Sequence, residues 1–257
     1  SNCGMSPDLS AAINERALLH IDNAYYISDI EVINNLCKTN IPTSTAFRGF
    51  GGNQGMMVIE NIIDNISRYL KKDPIEVRKK NFYKNDKKNV THYGMTIQDN
   101  VINEIFKNLE KKSNYKKRYS DIKKFNEKNE FKKKGIAITP VKFGISFTTI
   151  HLNQAGALVH IYTDGSVHLN HGGVEMGQGT HTKISQLVAN SFGLPYNLVN
   201  ISSTNTSKVP NTSASAASST TDLNGAAALN AVSRIKKNLE NFIKKKYKIY
   251  NHEAVYK

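Results

Sequence analysis

The hydrophobic repeat of this chain changes once, and the change constrains the fold more than any other feature. Through the first hundred residues apolar side chains recur at helical spacing; beyond residue 134 they alternate. Ile59, Ile62, Ile63, Ile66 and Leu70 form a stripe with a period near 3.6. Residues 6–7 pair a cap serine with proline and predict a helix running to about residue 20. Residues 73–76, DPIE, combine a cap aspartate, a proline at the first helical position and a glutamate three places after the cap. Another helix is expected over 96–109. In the second half, 135–150 and 155–163 alternate like strands, and Asp164-Gly165 turns the chain into a further strand over 167–171. A helix over 180–192 should stop at Gly193, with Pro195 just beyond. A strand over 198–202 and a long amphipathic helix carrying Leu229, Val232, Ile235, Leu239 and Phe242 follow. The pattern predicts an α+β protein with a mainly helical N-terminal part, 1–106, a basic linker, 107–134, and a C-terminal part of mixed strands and helices, 135–257.

The formal charge of +14 raises the question of a nucleic-acid partner, and its distribution bears on the answer. Residues 107–134 have a net charge of +8 and residues 236–248 a net charge of +5, so two short stretches hold thirteen of the fourteen charges. Single-strand binders interleave basic and stacking aromatic residues along a groove. Here Tyr115, Tyr119, Phe125 and Phe131 are scattered, so a solvated linker and helix face is preferred to a phosphate-tracking patch, and no nucleic-acid partner is expected. No apolar run approaches the roughly 20 residues of a membrane span. With no visible leader, and with Cys3 and Cys37 as the only cysteines, a cytoplasmic protein is expected.

Two glycine-rich segments, 46–52 (AFRGFGG) and 172–179 (GGVEMGQG), surround large functional side chains with residues that permit left-handed backbone and close approach of a ligand. Arg16 falls between Leu9 and Ile13 on the apolar stripe of its own helix, so its guanidinium should point inward. Two readings stay open for it, an internal ion pair and a planar fork for a ligand carbonyl or developing anion. Twelve of the twenty residues over 202–221 are Ser or Thr, and they lead into a helix. Such a segment places hydroxyls and free N–H groups at a helix N-terminus and is read as an anion cradle. His160, His168 and His171 fall on the hairpin as surface or turn residues, and residues 49–54 do not complete a dinucleotide-binding glycine motif.

Seven stretches, CKTN at 37–40, STAFRGFGG at 44–52, KFGISFT at 142–148, LNQAG at 152–156, YTDGS at 162–166, EMGQGTHTK at 175–183 and VPNT at 209–212, closely resemble the molybdenum-binding part of xanthine dehydrogenases. The likeness runs in order from about residue 3 to about residue 231 and weakens in the lysine-rich stretch. It implies a molybdenum hydroxylase: a molybdopterin cofactor, with 2Fe-2S and FAD on other domains or subunits, a purine substrate, a dimeric parent enzyme and no membrane. It also implies that the parts either side of the basic stretch are two molybdopterin-binding subdomains.

The resemblance implies a role for each unusual residue. Arg16 would orient the purine and stabilise its developing charge, Phe50 and Phe147 would sandwich the ring, and Thr148 would lie beside them. Arg48 and Ala217 would offer backbone contacts near the metal. Met176, Gln178, Ala217, Ser218 and Thr220 would contact the cofactor. The general-base glutamate of the family has no counterpart here, and Glu175 is not its equivalent. The resemblance therefore implies an internal piece of a larger subunit, inactive by itself, belonging to an enzyme that converts hypoxanthine and xanthine to urate. An aldehyde oxidase is the alternative, and a basic nucleic-acid-binding module a more distant one.

Overall fold

The computed structural model describes residues 1–208 and 211–248; Val209 and Pro210 of the VPNT motif, and the last nine residues of the expected second part, lie outside them. The chain forms two compact units, Ser1–Gly144 and Ile145–Lys257.

The first unit is helical: α1 (Ser10–Leu19), α2 (Gly52–Tyr69), α3 (Pro74–Asn81), α4 (Ile102–Lys112) and α5 (Tyr115–Lys128). Its core gathers Tyr25, Ile59, Ile63, Ile75, Phe82, Phe106, Tyr115 and Ile138. The DPIE signal behaves as the sequence indicates, with the Asp73 carboxylate accepting the Ile75 N–H at 2.9 Å and Pro74 in the first turn. The first helix starts later than expected, at Ser10, where the Ser10 hydroxyl accepts the Ser6 N–H at 2.8 Å. On α2 the buried face is Gly52, Gly55, Met56, Ile59, Ile63 and Ser67, while Ile62, Ile66 and Leu70 of the expected stripe are exposed. Glycine carries the closest packing here: a Cβ on Gly55 would lie 2.2 Å from the Ala17 carbonyl oxygen of α1.

Two expectations change in this unit. The lysine-rich stretch expected as a linker folds for most of its length into the helices α4 and α5, anchored by Phe106 and Tyr115, each 3% exposed, with the lysines outward. Residues 135–144 pack on this first unit and form no strand. Their backbone has no ladder partner because side chains take its polar groups. Asn23 donates to the Pro140 carbonyl at 3.0 Å and accepts from the Lys142 N–H at 3.0 Å. A segment whose hydrogen bonds are met in this way can stay extended outside any sheet.

The second unit holds β1 (Ala157–Ile161), β2 (Val167–His171), α6 (Thr180–Phe192), β3 (Val199–Ile201) and α7 (Thr220–Tyr247). The sheet order is β1-β2-β3, with β1 antiparallel and β3 parallel to β2. The Asp164-Gly165 turn closes the hairpin, Gly165 having φ of 85°. Val159, Val167, Leu169 and Val199 of the sheet meet Ile184 and Val188 of α6 and Ala228 and Val232 of α7 in one core. α6 ends at Gly193 with φ of 71°, as its sequence indicates. Only the early turns of α7 are packed: Leu239 and Phe242 of the expected stripe are exposed. Mixed helices and strands make the chain α+β, as expected.

Candidate functional site

In the first unit Arg16 is buried, 3% exposed, despite its charge. Its Nη1 donates to the Gly144 carbonyl at 2.6 Å, and its guanidinium carbon lies 5.4 Å from the centre of the Phe143 ring. Burial draws its pKa below the usual guanidinium value. The turn carrying Arg48 and Phe50 is strained: Gly49, Phe50 and Gly51 have φ of 96°, 50° and 99° in succession. Left-handed backbone at a phenylalanine is uncommon and persists only where its surroundings fix it. What fixes it is α1, against which Gly51 packs backbone to backbone beside Ile13 and Ala17. The turn and the helix bearing Arg16 are thus brought together. Arg48 is exposed, its carbonyl accepting from the Asn53 amide at 3.0 Å.

In the second unit three separate stretches converge. The Ser146 N–H donates to the Ala217 carbonyl at 2.8 Å, tying the segment of Phe147 and Thr148 to the Ser/Thr-rich segment. Val174 N–H donates to the Ser215 hydroxyl at 2.7 Å, and a Cβ on Gly173 would meet the Thr220 methyl at 2.8 Å, so the glycine-rich loop lies against the same segment. Phe147 is held by a residue whose part the sequence reading missed: Asn153 accepts from its N–H and donates to its carbonyl, both at 2.8 Å. Asn153 stands in the LNQAG stretch, and the spacing of six residues gave no local signal of that clamp.

Glu175 is the organiser of its loop. Its carboxylate accepts the N–H groups of Gly177, Gly179 and His181, each at 2.9 Å, and these donors, His181 and Gly179 foremost, hold its pKa down at about 2. It thereby fills the N-terminus of α6. Met176 is exposed, whereas the Gln178 amide is turned back onto its own loop, accepting from Met176 N–H and donating to the Val174 carbonyl. The N-terminus of α7 is different. Ala217 and Ser218 are both left-handed, with φ of 54° and 56°, and Ser219 makes no side-chain cap ahead of Thr220. The first N–H groups of α7 have no side-chain cap, and an uncapped helix N-terminus favours an anion. An anionic pterin phosphate fits that chemistry, and the buried Thr180 hydroxyl and His181 Nε2, both without partners, show polar groups close to the loop still unsatisfied within the protein.

His171, 1% exposed, sits behind this loop. Its Nδ1 accepts the Gly173 N–H at 3.0 Å, and its ring meets His181 edge-on at 5.1 Å. Burial, with His181 reinforcing it, lowers its pKa to about 4. A histidine whose folded pKa is depressed keeps its contribution above the unfolded value near 6.5 and loses it as pH falls toward 4. We expect the second unit to lose about 2–3 kcal/mol across that window through this residue. His171→Asn, whose amide oxygen can accept from Gly173, should flatten the fall; urea unfolding at pH 7 and pH 4.5 checks it, and an unchanged slope would refute the assignment.

The chain matches the molybdopterin cofactor-binding domain family twice, over residues 1–82 and over residues 108–257. Xanthine dehydrogenase 1 of Arabidopsis thaliana is 48% identical over 91% of this chain and 17% of its own length. The xanthine dehydrogenase/oxidase of Gallus gallus is 48% identical over 93% of this chain and 18% of its own. The chain therefore spans less than a fifth of these relatives. Among solved structures, the aldehyde oxidoreductase from Desulfovibrio desulfuricans superposes with a TM-score of 0.76 at 21% identity, covering 93% of this chain and 26% of that one, a likeness of fold. With the two parts of the chain matched to two models of the molybdopterin cofactor-binding domain, and with the sequence likeness spread across both, the chain belongs to the molybdopterin cofactor-binding domain family.

Proposed function

We propose that this chain supplies the purine clamp and part of the molybdopterin cradle of a xanthine dehydrogenase, an enzyme that hydroxylates hypoxanthine and xanthine to urate. The observation carrying this reading is a buried arginine on α1 held beside the strained turn that presents Phe50. The guanidinium is a planar fork of several donors, one of which goes to the Gly144 carbonyl, and that fork suits a ligand carbonyl. Phe50 and Phe147 would stack on the purine faces, at about 1–3 kcal/mol per ring. Thr148 would lie at the ring edge.

The cofactor would be held by Arg48, Met176, Gln178, Ala217, Ser218 and Thr220, with the Arg48 and Ala217 backbone nearest the metal. When bound, it supplies the metal centre at which the substrate is oxidised, and electrons leave through 2Fe-2S and FAD on other domains or subunits. Arg16 acts in the chemical step by stabilising negative charge that grows on the purine. In this reading residues 1–106 and 135–257 belong to two molybdopterin-binding subdomains, the general base is supplied from elsewhere in the subunit, and this chain alone is inactive. A dimeric, cytoplasmic enzyme of purine catabolism is the fuller form of the same reading. No helix among the described residues is long and apolar enough to cross a membrane.

An aldehyde oxidase would have no use for Arg16, since an aldehyde offers no second carbonyl. Arg16→Met in the complete enzyme is expected to lower kcat/KM on xanthine about 10²-fold, as for removal of one transition-state donor. A loss of less than about threefold would remove the role given to Arg16 and favour the aldehyde reading.

A further inference from the structure

His20 closes a ring of hydrogen bonds around the Arg16 side chain. Arg16 Nη1 donates to the Gly144 carbonyl at 2.6 Å; the Gly144 N–H donates to His20 Nε2 at 2.9 Å; and His20 Nδ1 lies 2.8 Å from the carbonyl oxygen of Arg16 itself. Each partner fixes a proton. The Gly144 N–H can only donate, so Nε2 must present its lone pair, and the Arg16 carbonyl can only accept, so Nδ1 must carry the hydrogen. A single neutral tautomer satisfies both.

We propose that His20, in this tautomer, is a positioning residue for Arg16, holding the Gly144 peptide so that its carbonyl fixes the guanidinium. This rests on the role given above to Arg16. His20 is 4% exposed, and the ring of Phe143, tilted 5.0 Å from its imidazole, fills the space between it and the guanidinium. Residues 135–144 form no ladder of their own, so the Gly144 peptide is held by side chains, with His20 on its N–H and Arg16 on its carbonyl. A displaced Gly144 therefore removes the oxygen to which Nη1 donates. The charged groups facing the imidazole are Arg16 and Lys142, which disfavour protonation, and Asp22, which favours it; burial outweighs the carbonyl contact and holds the pKa below the ordinary histidine value. Protonation would set a hydrogen on Nε2 against the Gly144 N–H and open the ring.

Two substitutions separate positioning from general packing. The amide oxygen of Gln in His20→Gln can reach the Gly144 N–H, whereas the shorter side chain in His20→Asn can keep only the bond to the Arg16 carbonyl. In the holoenzyme we expect His20→Asn to lower kcat/KM on xanthine about tenfold, mostly in kcat, and His20→Gln to recover most of it. Activity on a small aromatic aldehyde should stay within about twofold for both, since that substrate makes no use of Arg16. Added to Arg16→Met, His20→Asn should have no further effect. Calorimetric affinity for a non-reacting hydroxypurine should fall in His20→Asn and return in His20→Gln. Equal losses on xanthine and aldehyde, or full additivity with Arg16→Met, would overturn the proposal and leave a packing role. An effect of Arg16→Met with none of His20→Asn would overturn it while keeping the purine reading, and no effect of Arg16→Met would remove that reading itself.

Discussion

Replacing Arg78 by leucine is expected to lower the unfolding free energy of the first unit by about 3–5 kcal/mol. Arg78 is 2% exposed and bridges two carboxylates of α2 from α3, with Nε 2.8 Å from Glu60 Oε2 and Nη2 2.8 Å from Asp64 Oδ1. The other oxygen of Glu60 accepts from the Tyr25 hydroxyl at 2.5 Å and the Asn23 amide at 2.9 Å. Burial and Glu60 push the Tyr25 pKa up, so that hydroxyl remains a donor at any working pH. Leucine restores the volume but leaves the Glu60 charge inside with only neutral donors, and that stranded charge dominates the effect. An exposed ion pair would contribute less than about 1 kcal/mol. Arg78→Lys should recover part of the loss, because an ammonium cannot span both carboxylates as the guanidinium does. Urea unfolding measures it, and a loss below about 1 kcal/mol for Arg78→Leu would show that Glu60 is better solvated than the geometry indicates.

Gly51→Ala should be nearly as damaging, about 2–5 kcal/mol. Two costs combine. Holding an alanine at φ of 99° costs roughly 1–2 kcal/mol. In addition its Cβ would stand 2.0 Å from the Ile13 carbonyl oxygen, a backbone atom that cannot rotate away, and forced overpacking of that kind costs about 1–3 kcal/mol. Gly94→Ala isolates the first cost, since Gly94 has φ of 83° with nothing within 4 Å of the added Cβ. The difference between the two variants therefore reads the α1–α2 contact. The same clash would push α1 from the Phe50 turn, so Gly51→Ala should lose purine affinity in excess of its loss of stability. Equal destabilisation by the two variants would contradict the close approach.

Legibility in the sequence followed the range of the interactions. The DPIE cap, the Asp164-Gly165 hairpin and the Gly193 stop depend on neighbouring residues, and each stands where its signal does. The strand expected over 135–150 failed because alternation reports only that a segment is extended; His20, Asn23 and Arg16, over a hundred residues away, took the hydrogen bonds a ladder would have made. Residues 107–134 read as a linker because their charge dominates, while the structure shows most of them within α4 and α5, seated by Phe106 just ahead of the stretch and by Tyr115 inside it. Packing at Gly52 and Gly55 turned α2 so that Ile59 and Ile63 of the expected stripe are buried while Ile62, Ile66 and Leu70 stay exposed. In the candidate site, the inward position of Arg16 was readable from its own helix. Its tether at Gly144, the Asn153 clamp on Phe147 and the inward turn of the Gln178 amide required coordinates.

In the proposed site Arg16, Phe50 and Phe147 would enclose a purine. The most direct measurement is a crystal structure of the holoenzyme soaked with a non-reacting hydroxypurine. We expect the heterocycle between the rings of Phe50 and Phe147, with a ring carbonyl accepting from the Arg16 guanidinium. A purine bound in full at another place, with those three side chains untouched by it, would contradict the account.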